Sequence, residues 1–251
     1  MDNRGVMVRI AITSANNLIL TRGCILSIGT GFSTIVYDDA STEPIEELCV
    51  ELKVGLVKED HPKGLTNLFN KAYKDFFNSD CEILLLTNND VIFPIGSIEN
   101  MEKLFLKEKP MVVGPLSNQP GTGVEQQIER YVQGIDSNIP ASAQKIQDVL
   151  EKDGLHFKSV SYLNGFCLLF DKRVDLLRHD SEYMFPPNFI NVGNDDWFTK
   201  RIYEKDKNGL LICLDSFVFH YKGKTTQWCE RGTKSPTSWN PENTRENLWR
   251  K

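Results

Sequence analysis

The sequence predicts an α/β protein built on a single open, mixed sheet flanked by helices. Short apolar segments alternate with amphipathic segments over the first 115 residues, the segment at 82–87 is largely apolar, and two apolar segments end in acidic residues. Alternating strand and helix patterns are typical of open α/β sheets. A largely apolar strand is typical of the middle of such a sheet, where helices cover both faces.

The first half of the chain follows this alternation element by element. We expect strands at 6–13, 33–37, 53–58 and 82–87 and helices at 18–28 and 45–51. A third helix is indicated by apolar residues that recur at helical spacing. These residues are Leu65, Leu68, Phe69, Ala72, Tyr73 and Phe76.

The pattern loosens beyond Pro115. We expect a turn-rich loop at 118–123, helical stretches at 124–135 and 141–152, and a strand at 159–170 that is interrupted at Asn164 and Gly165. A helix from Asn194 to about residue 209 and a strand at 210–219 follow. The tail from residue 221 contains Trp228, Trp239 and Trp249, and we expect a long loop that folds back.

The composition indicates a globular protein of one substantial domain. The chain has 251 residues, of which 40% are hydrophobic and 25% are charged. A net charge of -5 gives no general attraction to nucleic acid or to anionic membranes, so a phosphate-bearing ligand would need a local site with a cation. Six scattered cysteines without a CxxC motif predict reduced thiols. Neither a signal peptide nor a membrane-spanning run is found, which predicts a cytoplasmic protein.

Polar residues follow two of the predicted strands. Asp38 and Asp39 come after the second strand, and Asn88-Asn89-Asp90 comes after the fourth. Ligands of open α/β sheets bind beyond the carboxyl ends of the strands, so these side chains should converge. Asp90 is a suitable oxygen ligand for Mg²⁺ or Mn²⁺, and Asn88 is a weaker ligand or a ribose contact. Each motif by itself is also typical of a turn.

Two further positions carry candidate chemistry. Asn194-Asp195-Asp196 opens a predicted helix, where a carboxylate serves either as a cap or as a general base, and Asp195 is the first choice for the base. His220 ends an apolar strand, where a histidine is either structural or a metal ligand. A lysine nearby, such as Lys222, could reach a phosphate.

Taken together, these motifs resemble the family 2 glycosyltransferases of GT-A fold, a Rossmann-like open sheet with an acceptor-side annex. The resemblance covers residues 6–224, and the Asn-Asn-Asp form is similar to rhamnosyltransferase-like members. The matching motifs are Asp38-Asp39-Ala40-Ser41-Thr42, Lys63-Gly64 with Asn70, Asn88-Asn89-Asp90, Asn164-Gly165-Phe166, Asn194-Asp195-Asp196 and His220.

The resemblance implies an inverting transfer of a sugar, rhamnose as first choice, from a UDP- or dTDP-linked donor to a hydroxyl of a glycan acceptor, with Mn²⁺ or Mg²⁺. It implies a donor half at 1–115, an acceptor half at 116–224 and a tail at 225–251. The implied donor-side contacts are Thr13, Asp38 or Asp39, Lys63, Asn88, Asn89 and Lys222. The implied metal ligands are Asp90 and His220, the acceptor contacts are Asn164 and Gly165, and the base is Asp195 or Asp196.

The sequence departs from the family pattern at two positions. Asn88 stands where the family has the first acid of its metal motif, and Asn194 stands where it has a glutamate. Two alternatives therefore stay open. A nucleotidyltransferase would need a basic, glycine-rich loop near the N-terminus, which residues 8–17 lack. A non-catalytic carbohydrate-binding protein of the same fold would need no intact catalytic set.

Overall fold

The computed structural model describes residues 7–121, 124–151, 155–191 and 193–222. The strands are β1 Val8–Ser14, β2 Ser33–Asp38, β3 Gly55–Lys58, β4 Ile83–Asn88, β5 Val91–Ile92, β6 Val112–Ser117, β7 Phe157–Ser159, β8 Cys167–Asp171 and β9 Leu210–His220. The α-helices are α1 Leu18–Ile28, α2 Ile45–Leu52, α3 Leu65–Phe77, α4 Ser97–Glu108, α5 Ala143–Leu150 and α6 Asn194–Lys205.

The strands form one open, mixed sheet, as the alternation of elements predicts. Their order across the sheet is β3-β2-β1-β4-β8-β6-β9-β5, and β7 pairs with β9. β8 is antiparallel to β4 and β6, whereas β1 is parallel to β2 and β4, and β6 is parallel to β9. The carboxyl ends of β1, β2, β4, β6 and β9 therefore share one edge of the sheet with the start of β8.

Two apolar cores lie on opposite faces of the sheet because successive side chains of a strand point to opposite sides. In β4, Leu84 and Leu86 pack with α3, α5 and α6, whereas Ile83 and Leu85 pack with α1, α2 and α4. β4 is buried along Ile83–Thr87, which confirms the prediction of a central strand covered on both faces.

The predicted elements of the first half are confirmed within a residue or two. Helix α3 is one example, because its apolar stripe from Leu68 to Phe76 lies in the core. Strand β5, helix α4 and strand β6, which follow β4 along the chain, are not among the predicted elements.

The predicted helix at 124–135 is wrong. The chain there forms only two short 3₁₀ turns, Val124–Gln126 and Ile128–Arg130, separated by an extended residue at Gln127. Gly134 follows with a φ of 77°, a conformation that an α-helix does not accommodate. Ile128 and Val132 still enter the core, so the apolar pattern reflects burial rather than a regular helix.

The predicted strand at 159–170 is two strands in different parts of the sheet. β7 pairs with β9, whereas β8 lies between β4 and β6. The intervening residues leave the sheet and carry Asn164 and Gly165 to the edge where the strand ends meet. Helix α6 ends at Lys205, four residues before the predicted end at Gly209.

Five cysteines are free and buried, in agreement with the prediction of reduced thiols. Cys229 and the three tail tryptophans lie outside the described residues. Within the described part of the chain, no helix is both long enough and apolar enough to cross a membrane.

Candidate functional site

Asp90 and His220 form a buried pair at the shared edge of the sheet. Asp90 directly precedes β5, and β5 pairs with the end of β9 so that Val91 lies opposite His220. The amide of Tyr221 donates to the Asp90 carbonyl at 2.9 Å. This short antiparallel pairing places Asp90 Oδ1 3.3 Å from His220 Nε2, with both side chains at most 8% exposed.

The histidine ring is held in a fixed orientation. Its Nδ1 lies 2.8 Å from the carbonyl oxygen of Gln119, and its face stacks on Phe166 with ring centroids 5.0 Å apart. The Asn118 side chain accepts from the His220 amide at 2.8 Å and donates to its carbonyl at 3.3 Å. Asn118 and Gln119 are contacts that no motif indicates, because they lie in an irregular loop.

The orientation of this ring determines what the pair can bind. A carbonyl oxygen only accepts hydrogen bonds, so His220 Nδ1 carries a proton, and in neutral imidazole Nε2 then presents a lone pair toward Asp90. Asp90 Oδ1 is buried and accepts no well-aligned hydrogen bond from the described residues. Two facing acceptors in a buried site require either a proton or a cation between them.

The donor set fits a divalent cation. Ligands about 2.1 Å from an ion on adjacent octahedral positions are about 3 Å apart, close to the observed separation. No group of three or more His, Cys, Asp or Glu side chains that could hold a metal occurs among the described residues. Mg²⁺-type ions commonly take one or two protein ligands and complete their shell with substrate phosphates, so a two-ligand site matches that pattern.

Asn88 and Asn89 differ in their surroundings. Asn88 ends β4 half-buried, and its side-chain oxygen accepts from Thr13 Oγ1 at 3.4 Å. Asn89 is buried, and its amide donates to Ser14 Oγ, to the Asn16 carbonyl and to Thr21 Oγ1. Asn89 therefore ties the end of β4 to the loop between β1 and α1, whereas Asn88 and Thr13 lie side by side at the edge.

Asp38 and Asp39 both accept hydrogen bonds from the chain itself. Asp38 is fully buried and accepts from the amide and hydroxyl of Ser41. Asp39 accepts from the amides of Lys63 at 2.7 Å and Gly64 at 3.0 Å. Burial raises the pKa of both carboxyls, and these hydrogen bonds oppose the shift. Because Asp38 is inaccessible, Asp39 is the better placed of the two for a ligand contact.

The two lysines predicted on the donor side are placed differently. Lys63 touches Asp39 through its main chain, and its ammonium pairs with Glu59 at 2.6 Å. Lys222 is exposed and has a φ of 39° directly after β9. Neither ammonium is buried, so both are accessible from solvent.

Asp195 lies in the first turn of α6, against the loop that precedes β8. Its Oδ2 accepts from the Gly165 amide and from the Tyr162 hydroxyl, each at 3.0 Å. Its Oδ1 accepts from the Asp196 amide at 3.0 Å. Burial, reinforced by the neighbouring Asp196 charge, raises the pKa of Asp195, while the hydrogen bonds from Gly165 and Tyr162 oppose the shift. A carboxyl with a raised pKa is suited to accept a proton.

The loop at 164–166 connects the Asp90–His220 pair to Asp195. Phe166 stacks on His220, and its carbonyl accepts from the amide of Asn88. Gly165 binds Asp195, and Asn164 donates to Gln126 Oε1 through both its amide and its side chain. Gln126 is fully buried and also donates to the Pro115 carbonyl, a bridging role that its sequence context does not reveal.

A second connection runs from Asp39 to Asp195 through the start of α3. The amides of Leu65 and Thr66 donate to the Asn191 side chain and the Ile190 carbonyl. The Asn194 side chain donates to Thr66 Oγ1 at 3.1 Å and accepts from the Asp195 amide at 2.8 Å. The side-chain amide of Asn194 supplies both the donor and the acceptor that these two contacts use.

No family model matches the sequence, and no curated protein matches it. Solved structures do match. The crystal structure of GalNAc-T7 with UDP, GalNAc and Mn²⁺ superposes with a TM-score of 0.62 at 12% identity, covering 87% of this chain and 44% of that one. The structure of S. aureus TarS 1–349 superposes with a TM-score of 0.56 at 14% identity, covering 88% of this chain and 62% of that one. The structure of the same TarS fragment in complex with UDP-GlcNAc has a TM-score of 0.57 at 13% identity, covering 93% of this chain and 61% of that one.

These similarities show the fold. The open, mixed sheet flanked by helices is that of the GT-A glycosyltransferases, which confirms the predicted fold class. The chain spans 44% to 62% of the length of these solved chains.

Proposed function

We propose that this chain is a metal-dependent glycosyltransferase that moves a sugar from a nucleoside diphosphate donor to a hydroxyl of a glycan acceptor, with inversion at the anomeric carbon. The Asp90–His220 pair carries the proposal, because two facing acceptors at the strand-end edge of a GT-A sheet fit a cation. Such a cation would neutralise the charge that develops on the departing diphosphate.

The chain's own residues supply the remaining functions. Asp39 and Thr13, at the ends of β2 and β1, would contact the nucleoside, and the accessible ammonium of Lys222 would approach the phosphates. The donor half would be residues 1–115 and the acceptor half residues 116–224, with Asn164 and Gly165 beside the acceptor.

Asp195 is the proposed general base. In a single displacement the acceptor oxygen attacks the anomeric carbon, its proton passes to Asp195, and the bond between that carbon and the phosphate oxygen breaks with its electron pair leaving on the nucleoside diphosphate. The raised pKa of Asp195 and its contact with Gly165, next to the acceptor contact Asn164, support this role.

We propose a pyrimidine donor, UDP- or dTDP-linked. UDP accompanies the GalNAc-T7 structure, and UDP-GlcNAc accompanies one TarS structure. The Asn-Asn-Asp motif, similar to rhamnosyltransferase-like sequences, makes a rhamnose donor the first one to test.

The first experiment measures thermal stability with nucleotides and nucleotide sugars, with and without Mn²⁺. A ligand at 100 times its dissociation constant adds about 2.7 kcal/mol to the folded state. For a chain of this size each kcal/mol raises Tm by roughly 2–4 °C. We expect a Mn²⁺-dependent shift with UDP or dTDP compounds that is abolished in Asp90→Ala.

Two results would contradict the proposal in different ways. If no nucleotide or nucleotide sugar shifts Tm, the donor site is wrong. If a donor binds but is neither hydrolysed nor transferred, the chain is a non-catalytic binding protein of the same fold. Asp80→Ala is the matched control and should retain the full shift, because Asp80 is exposed and precedes the start of β4, at the opposite end of that strand from Asp90.

A further inference from the structure

The two carboxylate oxygens of Asp195 have unequal surroundings. Oδ2 accepts two hydrogen bonds, from the Tyr162 hydroxyl and the Gly165 amide. Within the described residues, Oδ1 accepts one, from the amide of Asp196. Each carboxylate oxygen has two lone pairs in the carboxyl plane, so Oδ2 is saturated and Oδ1 retains one open position.

Packing fixes the carboxylate in this orientation. A Cβ atom at position 165 would lie 2.8 Å from Asp195 Cβ and 3.4 Å from its Oδ2, so only glycine lets the side chain approach the loop this closely. The Asp195 side chain is thus confined on one side by the backbone at Gly165 and held at one oxygen by Tyr162.

We propose that Tyr162 is a positioning residue, which holds Asp195 through Oδ2 so that Oδ1 takes the acceptor's proton. This inference rests on the proposed function. The acceptor O–H bond breaks, its proton goes to Oδ1, and its electron pair forms the new bond to the anomeric carbon. The nucleoside diphosphate leaves with the electron pair of the old bond.

The groups that face this carboxyl determine the expected pH response. They are Asp196, on the same helical turn, and Tyr162 and the Gly165 amide, on the loop before β8. Burial raises the pKa of Asp195 most, and the Asp196 charge adds to this, whereas the amide and the hydroxyl lower it by stabilising the charged form. Removing the hydroxyl should therefore raise the pKa of Asp195 further.

The test is Tyr162→Phe, which keeps the ring and removes the hydroxyl. We expect kcat to fall roughly 10-fold or more, because hydrogen bonds to charged groups are among the stronger ones. The acidic limb of the kcat profile should move to higher pH, with donor KM unchanged. Tyr73→Phe is the matched control, since its hydroxyl binds the Asp175 carboxylate at 2.9 Å elsewhere in the fold.

A titration separates this inference from the proposed function. The Asp195 carboxyl is followed by carbon-13 NMR in the wild type and in Tyr162→Phe, with Asp195→Asn identifying the signal. A higher midpoint in Tyr162→Phe supports the positioning role even if the wild type transfers no sugar, an outcome that would reject the transferase alone. An unchanged midpoint, or an unchanged kcat profile in an active enzyme, overturns the role of Tyr162.

Discussion

Asp195 and Asp196 are adjacent carboxylates with different placements. The Asp195 side chain contacts the loop before β8 through Gly165 and Tyr162, and burial raises its pKa. The backbone amide of Asp196 donates to Asp195 Oδ1 at 3.0 Å. The sequence leaves the base open between the two, and the contacts of Asp195 with Gly165 and Tyr162 support it as the proposed base.

We predict that Asp195→Asn retains donor binding and loses sugar transfer. Removing a positioned general base typically lowers the rate by about 10²–10⁴. The measurement pairs the Mn²⁺-dependent Tm shift with the rate of transfer from the donor that the panel identifies. If Asp196→Asn loses more activity than Asp195→Asn, the base is Asp196 instead.

Residue type and position reveal only part of the site. Asp90, His220 and Asp195 are visible because an acid or histidine at a strand or helix end is unusual enough to notice. Tyr162 and Gln126 are not visible, because each lies in a segment that the sequence predicts as an ordinary strand or helix, with no motif to mark a site. Their roles depend on which loops the fold brings together.

At the scale of elements, the start of α3 joins the proposed donor contact Asp39 to the proposed base Asp195. Gly64 follows the lysine that binds Asp39, and the first amides of α3 bind the segment that leads into α6. Asn70, one turn further along, exchanges two hydrogen bonds with the backbone of Phe185. The segment before α6 is therefore held along the first turns of α3.

We predict that Gly64→Ala destabilises the fold by about 3 kcal/mol or more. Gly64 has a φ of 90°, and a Cβ atom there would lie 2.5 Å from Ile190 Cγ2 and 2.7 Å from the Ile190 carbonyl. Backbone strain of order 1–3 kcal/mol then adds to an overpacking cost of similar size. Urea unfolding measures the change.

Gly134→Ala separates the two contributions. Gly134 also has a positive φ, 77°, but a Cβ atom there would meet nothing within 4 Å. The Gly134→Ala variant should therefore lose about 1–2 kcal/mol of unfolding free energy, the cost of the left-handed backbone conformation alone. Equal losses in the two variants would show that the approach of Ile190 does not constrain α3.

Helices with a regular apolar stripe are predictable from this sequence. The apolar stripe of α3 predicts that helix. Helix α4 carries a similar stripe of Ile98, Met101, Leu104 and Phe105, although it is not among the predicted elements. The segment at 124–135 has an apolar pattern but forms no α-helix. The side chain of Gln126 there makes tertiary hydrogen bonds with Pro115 and Asn164. Such tertiary contacts override local periodicity.

At the scale of the whole molecule, strand order is what the sequence does not reveal. The alternation of elements predicts an open sheet but not that β8 enters between β4 and β6 in the opposite direction. That insertion brings the loop at 164–166 to the edge where β4 and β9 end. The sequence can predict that the carboxyl ends of the strands form one site, because this holds for open α/β sheets in general. Which loops lie beside each strand end depends on the strand order, which the sequence does not reveal.

Buried acids at this edge give the fold a specific pH dependence. Burial raises the pKa of Asp38, Asp39 and Asp195. As pH rises above about 3.9, unfolded chains release these protons before the folded protein does. The unfolded state then binds fewer protons, so the contribution of these groups to stability is present at low pH and is lost as pH rises through the folded pKa values.

We therefore predict that Asp195→Asn gains stability relative to the wild type between pH 4 and pH 7. The free energy of unfolding of both proteins is measured in urea at each pH. The hydrogen bonds lost on substitution change the stability difference between variant and wild type by the same amount at pH 4 and at pH 7. The change in that difference between the two pH values therefore reports the ionisation of Asp195. A difference that stays constant, as expected for the exposed control Asp60→Asn, would contradict the prediction.

The pairing of β5 with the end of β9 also has a consequence for synthesis on the ribosome. Asp90 emerges early, with the first parallel strands, whereas His220 is the last residue of β9. β8, which lies between β4 and β6, also emerges late. Until β9 has been synthesised, the Asp90 carboxylate lacks its His220 partner. The cation affinity proposed for the pair should therefore arise only once translation has passed His220.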